Sequence, residues 1–249
     1  MSRKEIAVKN NQEYFRGTGF ANAELDAEFE MIIGQFICGD VLARNSLTKV
    51  QKSLLTLTAL TASQTIKHLS KYVLSALDVG ASPEEIKETL YQCAPYIGAE
   101  KVLCALDEAN KAFQAAGIEQ PLPQQATVTE ETRLKDGLAV QQQIFGAENI
   151  NAMRAAAPQE LQHIQEYLSA HCFGDFYTRG TLDLKMRELI TFCAICSLGG
   201  CEPQAKAHAE ANLNVGNTRE RLIAAITQCL PFIGFPRALN AITCINQVC

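Results

Sequence analysis

The chain has 249 residues, 47% of them hydrophobic, which is enough for one large cored unit or two small ones; its net charge of −5, with no basic stretch, argues against nucleic acid as a main partner. Residues 1–16 are polar and charged, and no run of about 18 apolar residues is present, so neither a secretion signal nor a membrane span is expected. The ten cysteines do not follow the spacing of a disulfide framework. Many lie in apolar helical runs, where a reduced cysteine acts as a small hydrophobe, and a reducing cytoplasm is the expected compartment.

Helical periodicity runs through the chain, and no useful alternating strand pattern appears. The predicted fold class is therefore all-α. Residues 24–38 read as a first helix and 47–62 as a longer one with a wide apolar face. Gly80 closes a helix where a left-handed residue is needed. Ser82 then caps residues 83–94, with Pro83 at the first helical position and Glu84-Glu85 in the first turn. Residues 99–115 form another helix. The proline- and glutamine-rich stretch 117–129 reads as a linker. Helices follow over 130–145, 158–173 and Leu182–Leu198; Gly199-Gly200 ends the last of these, and Pro203 opens the next. After Gly216, Thr218 caps a helix through Leu230.

The second half repeats the first. YQCAPYIG (91–98) returns as TQCLPFIG (227–234), and GDVLARNSL (39–47) as GDFYTRGTL (174–182), about 135–136 residues on. The register holds over roughly 75 residues, which indicates a duplicated small domain rather than a solenoid, whose period is about 20–50 residues. We divide the chain into a first domain (20–116), the linker (117–129) and a second domain (130–249).

The chemistry concentrates in the second copy. On the helix after Gly200, Cys201, Gln204 and His208 fall at spacings that share one face. A cysteine at a helix start feels the positive end of the dipole, which favours thiolate. Glu188, on the preceding antiparallel helix, is placed to add a carboxylate, so acid, base and thiol are expected to converge. In the first copy Glu188 aligns with Ser53, His208 with Tyr72 and Arg187 with Lys52, while Cys201 faces a one-residue gap near Ser63 and Gln64. Three chemical groups are thus missing together, the pattern of one live and one degenerate site. Catalytic roles are assigned to Glu188, Cys201 and His208, and substrate binding to Arg187 and Gln204. Cys201 also reads as a structural helix cap. Cys193 and Cys196 form a CxxC, but inside the hydrophobic run LITFCAICSL they read as core. His68, His163 and His171 lack partners at metal-ligand spacing, and a Cys201/His208 metal site lacks further ligands, so no metal is expected.

The segments Arg187-Glu188-Leu189, GGCEPQAKAH (199–208), Gly216 and PFIGFPRALNA (231–241) resemble the carboxymuconolactone decarboxylase family, in its tandem-domain form. Copy one shows the same scaffold through QTIKHLSKYVLSALDVG (64–80) and CAPYIGAEKVLCAL (93–106). The resemblance implies two alkyl hydroperoxidase D-like lobes, a small-molecule substrate, no cofactor and ring assembly, here a trimer with pseudo-sixfold symmetry. One branch of the family consists of thiol peroxidases and disulfide reductases with a Cys-x-x-Cys before the histidine. Cys201 matches the first of those cysteines, but Gln204 stands in place of the second. The other branch is the cofactor-free decarboxylase acting on a carboxylated lactone. Decarboxylation leads on this reading. A peroxide- or disulfide-handling enzyme using Cys201, and a non-catalytic small-molecule-binding protein, stand as the alternatives.

Overall fold

The computed structural model describes residues 1–22 and 24–248, and among these no strand occurs. Twelve α-helices follow in order. In copy one they are α1 (Arg3–Phe15), α2 (Ala27–Gly34), α3 (Lys49–Ala62), α4 (Leu69–Asp78), α5 (Pro83–Ile97) and α6 (Ala99–Ala115). In copy two they are α7 (Arg133–Phe145), α8 (Ala147–Ala156), α9 (Gln162–Tyr167), α10 (Leu184–Leu198), α11 (Glu202–Asn214) and α12 (Arg219–Asn246). α2 runs on into a π-helical stretch, Gln35–Val41, and α9 into another, Leu168–Tyr177. The protein is all-α and built from two tandem domains of common descent.

The expected caps are present. Ser82 and Glu85 form a reciprocal capping box, Thr218 accepts from the amide of Arg221, and Gly80 and Gly216 have φ of 98° and 90°. The repeated Pro-x-x-Gly also has one function in both copies. Gly98 (φ 93°) separates α5 from α6, and Gly234 (φ 78°) breaks α12 at the matching place. By length and composition α12 is apolar enough to cross a membrane, but Gly234 divides it into two shorter segments.

The first domain is read as starting at residue 20, and α1, which precedes that boundary, packs on α4 and on the π-helical stretch of copy one. α1 is too polar to show an apolar stripe, yet Ser2 and Glu5 cap it with a full capping box. It lies against the π-helical stretch of copy one as α7 lies against that of copy two. The repeated Gly-Asp explains why. A Cβ on Gly39 would sit 2.9 Å from the carbonyl oxygen of Arg3, and one on Gly174 would sit 2.2 Å from that of Arg133, so only glycine permits the approach. The neighbouring aspartates then lock it: Asp40 pairs with Arg3, and Asp175 with Arg133.

The two lobes share one core. α3 and α10 lie side by side at its centre, with Leu54, Leu55 and Leu57 packed in the same cluster as Leu189, Ile190 and Phe192. α5 packs on α10 as well as on α3, and α12 packs on α3 as well as on α10. Each lobe therefore sends one helix across the active face of the other. Cys93, Cys193 and Cys229 are wholly buried in this core, as the reading of the CxxC requires. Burial pushes the thiols of Cys193 and Cys196 well above the ordinary range.

Candidate active site

α10 begins at Asp183, whose carboxylate accepts the amide of Met186. That start sets Glu188 in the second turn, wholly buried against α11. His208, two turns into α11, brings Nδ1 to 2.8 Å from Oε2 of Glu188. Asn212, one turn further on, clamps the pair. Its amide donates to the backbone oxygens of Glu188 (3.0 Å) and His208 (2.7 Å), while its oxygen accepts from Asn217 (2.8 Å).

The other carboxylate oxygen of Glu188 accepts from the hydroxyl of Tyr177 at 2.7 Å. Tyr177 also meets Thr191 Oγ1 and Tyr96 Oη, each at 2.9 Å. Cys172 donates its thiol to Tyr96. The π-helical stretch of copy two turns Cys172 and Tyr177 inward together. Tyr96 comes from α5, in the other lobe. Burial, followed by the nearby Cys172, Tyr177 and Glu188, pushes the Tyr96 hydroxyl well above the usual phenol range; burial and Glu188 do the same for Tyr177. Both phenols therefore act as protonated donors. Burial also pushes the Cys172 thiol up to about 12.

Tyr96 and Phe145 meet the His208 ring edge to face, with centroids at 5.3 and 5.4 Å. Ten per cent of the histidine side chain remains exposed. With Nδ1 committed to Glu188, Nε2 is the ring nitrogen open to a substrate. The arrangement is a buried carboxylate–imidazole pair ringed by phenols, suited to taking a proton at Nε2 and returning it.

Arg187, expected to bind substrate, lies wholly buried behind the pair instead. Its donors go to Glu88 (3.1 Å), Gln92 (2.9 Å) and the backbone oxygens of Arg179, Gly180 and Leu182. Wholly buried, the guanidinium is turned to these protein groups rather than to an open face. Gln204, one turn before His208 on α11, is exposed and makes no hydrogen bond among the described residues.

The expected convergence is met by Glu188 and His208 but not by Cys201. α11 starts one residue after Cys201, whose φ of −126° and ψ of 40° are non-helical, so its side chain leaves the face that the spacing implied. It is also seven residues from His208, about 10 Å along the axis. Cys201 lines a small pocket with Cys196, Cys244 and Arg237. His68, His163 and His171 are exposed, as expected. Among the described residues no group of three or more His, Cys, Asp or Glu side chains is placed to hold a metal ion.

The sequence reading missed Tyr177, Tyr96, Thr191, Cys172, Phe145 and Asn212. For three of these the signal was present in the internal comparison that picked out Glu188. Tyr177 aligns with Leu42, Tyr96 with Phe232, and Asn212 with Ala76. The copy-one counterpart of the site is an aromatic plug. Tyr72 stands where His208 does, edge-on between Phe15 (5.6 Å) and Phe232 (5.6 Å), above Ser53.

The pair of Glu188 and His208, present in one copy of a duplicated helical scaffold, has the chemistry of an acid–base site. The profile of the carboxymuconolactone decarboxylase family matches residues 36–111 and 162–247, one match in each lobe, and the chain belongs to that family. It is also similar to a 4-carboxymuconolactone decarboxylase of Acinetobacter baylyi, with 26% identity over 121 residues, which cover 49% of this chain and 90% of that protein.

Proposed function

We propose that the protein is an acid–base enzyme that decarboxylates a small carboxylated lactone or a related acid, using His208 as proton carrier and Glu188 as its partner. The observation that carries this reading is the 2.8 Å contact between Nδ1 of His208 and a wholly buried Glu188, which leaves Nε2 facing outward. In the step itself, the bond from the ring to the carboxylate carbon breaks and carbon dioxide leaves. The electron pair passes into the conjugated lactone carbonyl. The proton that Nε2 took from the substrate's carboxyl group at the outset is then delivered to the ring carbon, and Glu188 stabilises the imidazolium in between. The family membership and the decarboxylase relative support the substrate class.

The thiol alternative has less support. The cysteine within the centre, Cys172, is held protonated, and Cys201 lies in a different pocket. The deciding experiment follows carbon dioxide release from carboxylated lactones alongside peroxide consumption. His208→Ala should lower decarboxylation by about 10²–10⁴-fold, the range for a positioned acid or base. Cys201→Ser should keep a substantial share. Peroxide turnover strictly dependent on Cys201, without carbon dioxide release, would reverse the assignment.

For assembly we propose a homotrimer with pseudo-sixfold symmetry. Matching exposed apolar residues support it: Phe29 and Ile32 on α2 correspond to Ile164 and Tyr167 on α9, and Leu103 corresponds to Leu239. Light scattering of the purified chain tests it, and a monomer at micromolar concentration would refute it.

A further inference from the structure

The buried polar groups behind Glu188 form one connected line that crosses from lobe to lobe, and the chemistry of its members gives it a direction. Arg187 has donors only. Its Nη1 points at Oε1 of Gln92 (2.9 Å), so the Gln92 amide nitrogen must face the other way, toward Thr191 Oγ1 at 3.2 Å. Having accepted there, Thr191 has its single proton to give, and its remaining partner is Tyr177 Oη at 2.9 Å. Tyr96, with the Cys172 thiol donating to it, likewise has Tyr177 as its acceptor. Tyr177 thus accepts twice and has one proton, which goes to Glu188. Every donor in the line points toward the carboxylate. Glu88 fixes the far end by holding both Arg187 and Arg179, the latter at 2.9 Å.

Copy one supplies an internal control. Gln228 reaches Thr56 at 3.0 Å, the same link that Gln92 makes with Thr191. Yet Thr56 gives its proton back to its own helix, at the carbonyl of Lys52 (3.0 Å), because Leu42 stands where Tyr177 would accept it. Lys52 turns to the backbone oxygen of Leu42 (2.8 Å) rather than to Gln228. Glu88 has Ala224 as its counterpart. The Gln–Thr link between lobes is therefore common to both copies, whereas the directed line exists only where Glu188 and His208 do.

We propose that Arg187, Gln92 and Thr191 are positioning residues which, through Tyr177, keep both oxygens of Glu188 as acceptors and so hold His208 in the tautomer protonated at Nδ1, with Nε2 free as the base. The inference rests on the acid–base reading above for its catalytic meaning, but the tautomer itself does not. A neutral histidine beside a carboxylate that accepts from Tyr177 on one side must donate with Nδ1 on the other.

The test compares Thr191→Val, Thr191→Ser and Thr56→Val. If the Gln–Thr link only ties the lobes together, the two valine variants should lose similar thermal stability and neither should lose turnover. The proposal expects Thr191→Val to lower kcat about 10- to 100-fold with little change in KM, Thr191→Ser to recover most of the loss, and Thr56→Val to keep wild-type kcat. Equal kcat in both valine variants would overturn it. A second measurement needs neither substrate nor a stable variant. Nitrogen-15 shifts of the His208 ring in the wild-type protein should show a protonated Nδ1 and an unprotonated Nε2 at a pH where the ring is neutral. The opposite tautomer would refute the proposal outright, whereas loss of the decarboxylase assignment alone would leave the ring signals as described.

Discussion

Replacing Glu188 by glutamine removes a charge without changing shape, and the geometry makes its consequence specific. The side chain has two partners, His208 Nδ1 at 2.8 Å and the Tyr177 hydroxyl at 2.7 Å. A glutamine fits neither orientation. If its nitrogen faces His208, the ring must accept at Nδ1 and carry its proton at Nε2, which removes the base from the mouth. If its oxygen faces His208, its nitrogen meets the Tyr177 proton donor to donor at a wholly buried position. Either way the positioned base is lost, an effect of about 10²–10⁴-fold. At 1.36 kcal/mol per decade this amounts to roughly 3–5 kcal/mol of transition-state stabilisation. The assay is kcat/KM for carbon dioxide release from a carboxylated lactone, with melting temperature measured in parallel. Ser53→Ala, the same position in copy one, should leave kcat/KM within about a factor of two. Full activity in Glu188→Gln, or equal losses at Glu188 and Ser53, would refute the idea of one live site per chain.

Other outcomes follow from the packing and from the buried thiols. Gly174→Ala should abolish stable folding or cost well over the 1–3 kcal/mol typical of overpacking, because its Cβ would lie 2.2 Å from a backbone oxygen; a soluble variant with wild-type melting would contradict the contact. Cys172, held near 12, and the buried Cys193 should resist alkylation at pH 8 until the protein unfolds, while the exposed Cys104 reacts at once; peptide mapping after pulse labelling reads this. Burial raises Cys38, Cys93 and Cys172 each to about 12, so above pH 9 the unfolded chain gives up protons that the native state keeps. Stability should therefore fall as pH rises from 9 toward 12, by up to about 1.4 kcal/mol per thiol per pH unit, and Cys93→Ala should reduce that slope in denaturant titrations. Tyr177→Phe should damage turnover far more than Tyr96→Phe, since only Tyr177 touches Glu188; the reverse order in steady-state kinetics would mean that the phenol at the mouth carries the chemistry.

The duplication made most of the fold legible. Repeated caps at Ser82 and Thr218, repeated glycines and two apolar helices fixed the element order, because these depend on local chemistry alone. α1 escaped notice because it buries only Ala7, Tyr14 and Phe15, too few for a visible stripe; its position depends on the close approach at Gly39. At the site, Glu188 and His208 were readable from spacing and from their loss in copy one. Cys201 was misplaced by the same spacing argument, since a face rule holds only for residues with helical dihedrals, and a cap residue has none. Arg187 stood out correctly as special, but its burial against Glu88 and Gln92 is a contact between lobes that one-dimensional spacing cannot express.

That crossing of the lobes explains what the first copy is for. Its own centre has no acid–base pair: the Phe15–Tyr72–Phe232 stack stands in place of the Phe145–His208–Tyr96 arrangement, and Ser53 offers no charge. Yet it supplies Tyr96 at the mouth, Gln92 in the buried line and Glu88 beneath Arg187. Copy two returns Gln228 and Phe232 to the copy-one centre. The difference between Tyr96 and Phe232 follows the same division: the hydroxyl stands where a carboxylate lies behind it, and is absent where the pocket behind it holds Ser53, Thr56, Ser75 and Gln228 but no carboxylate.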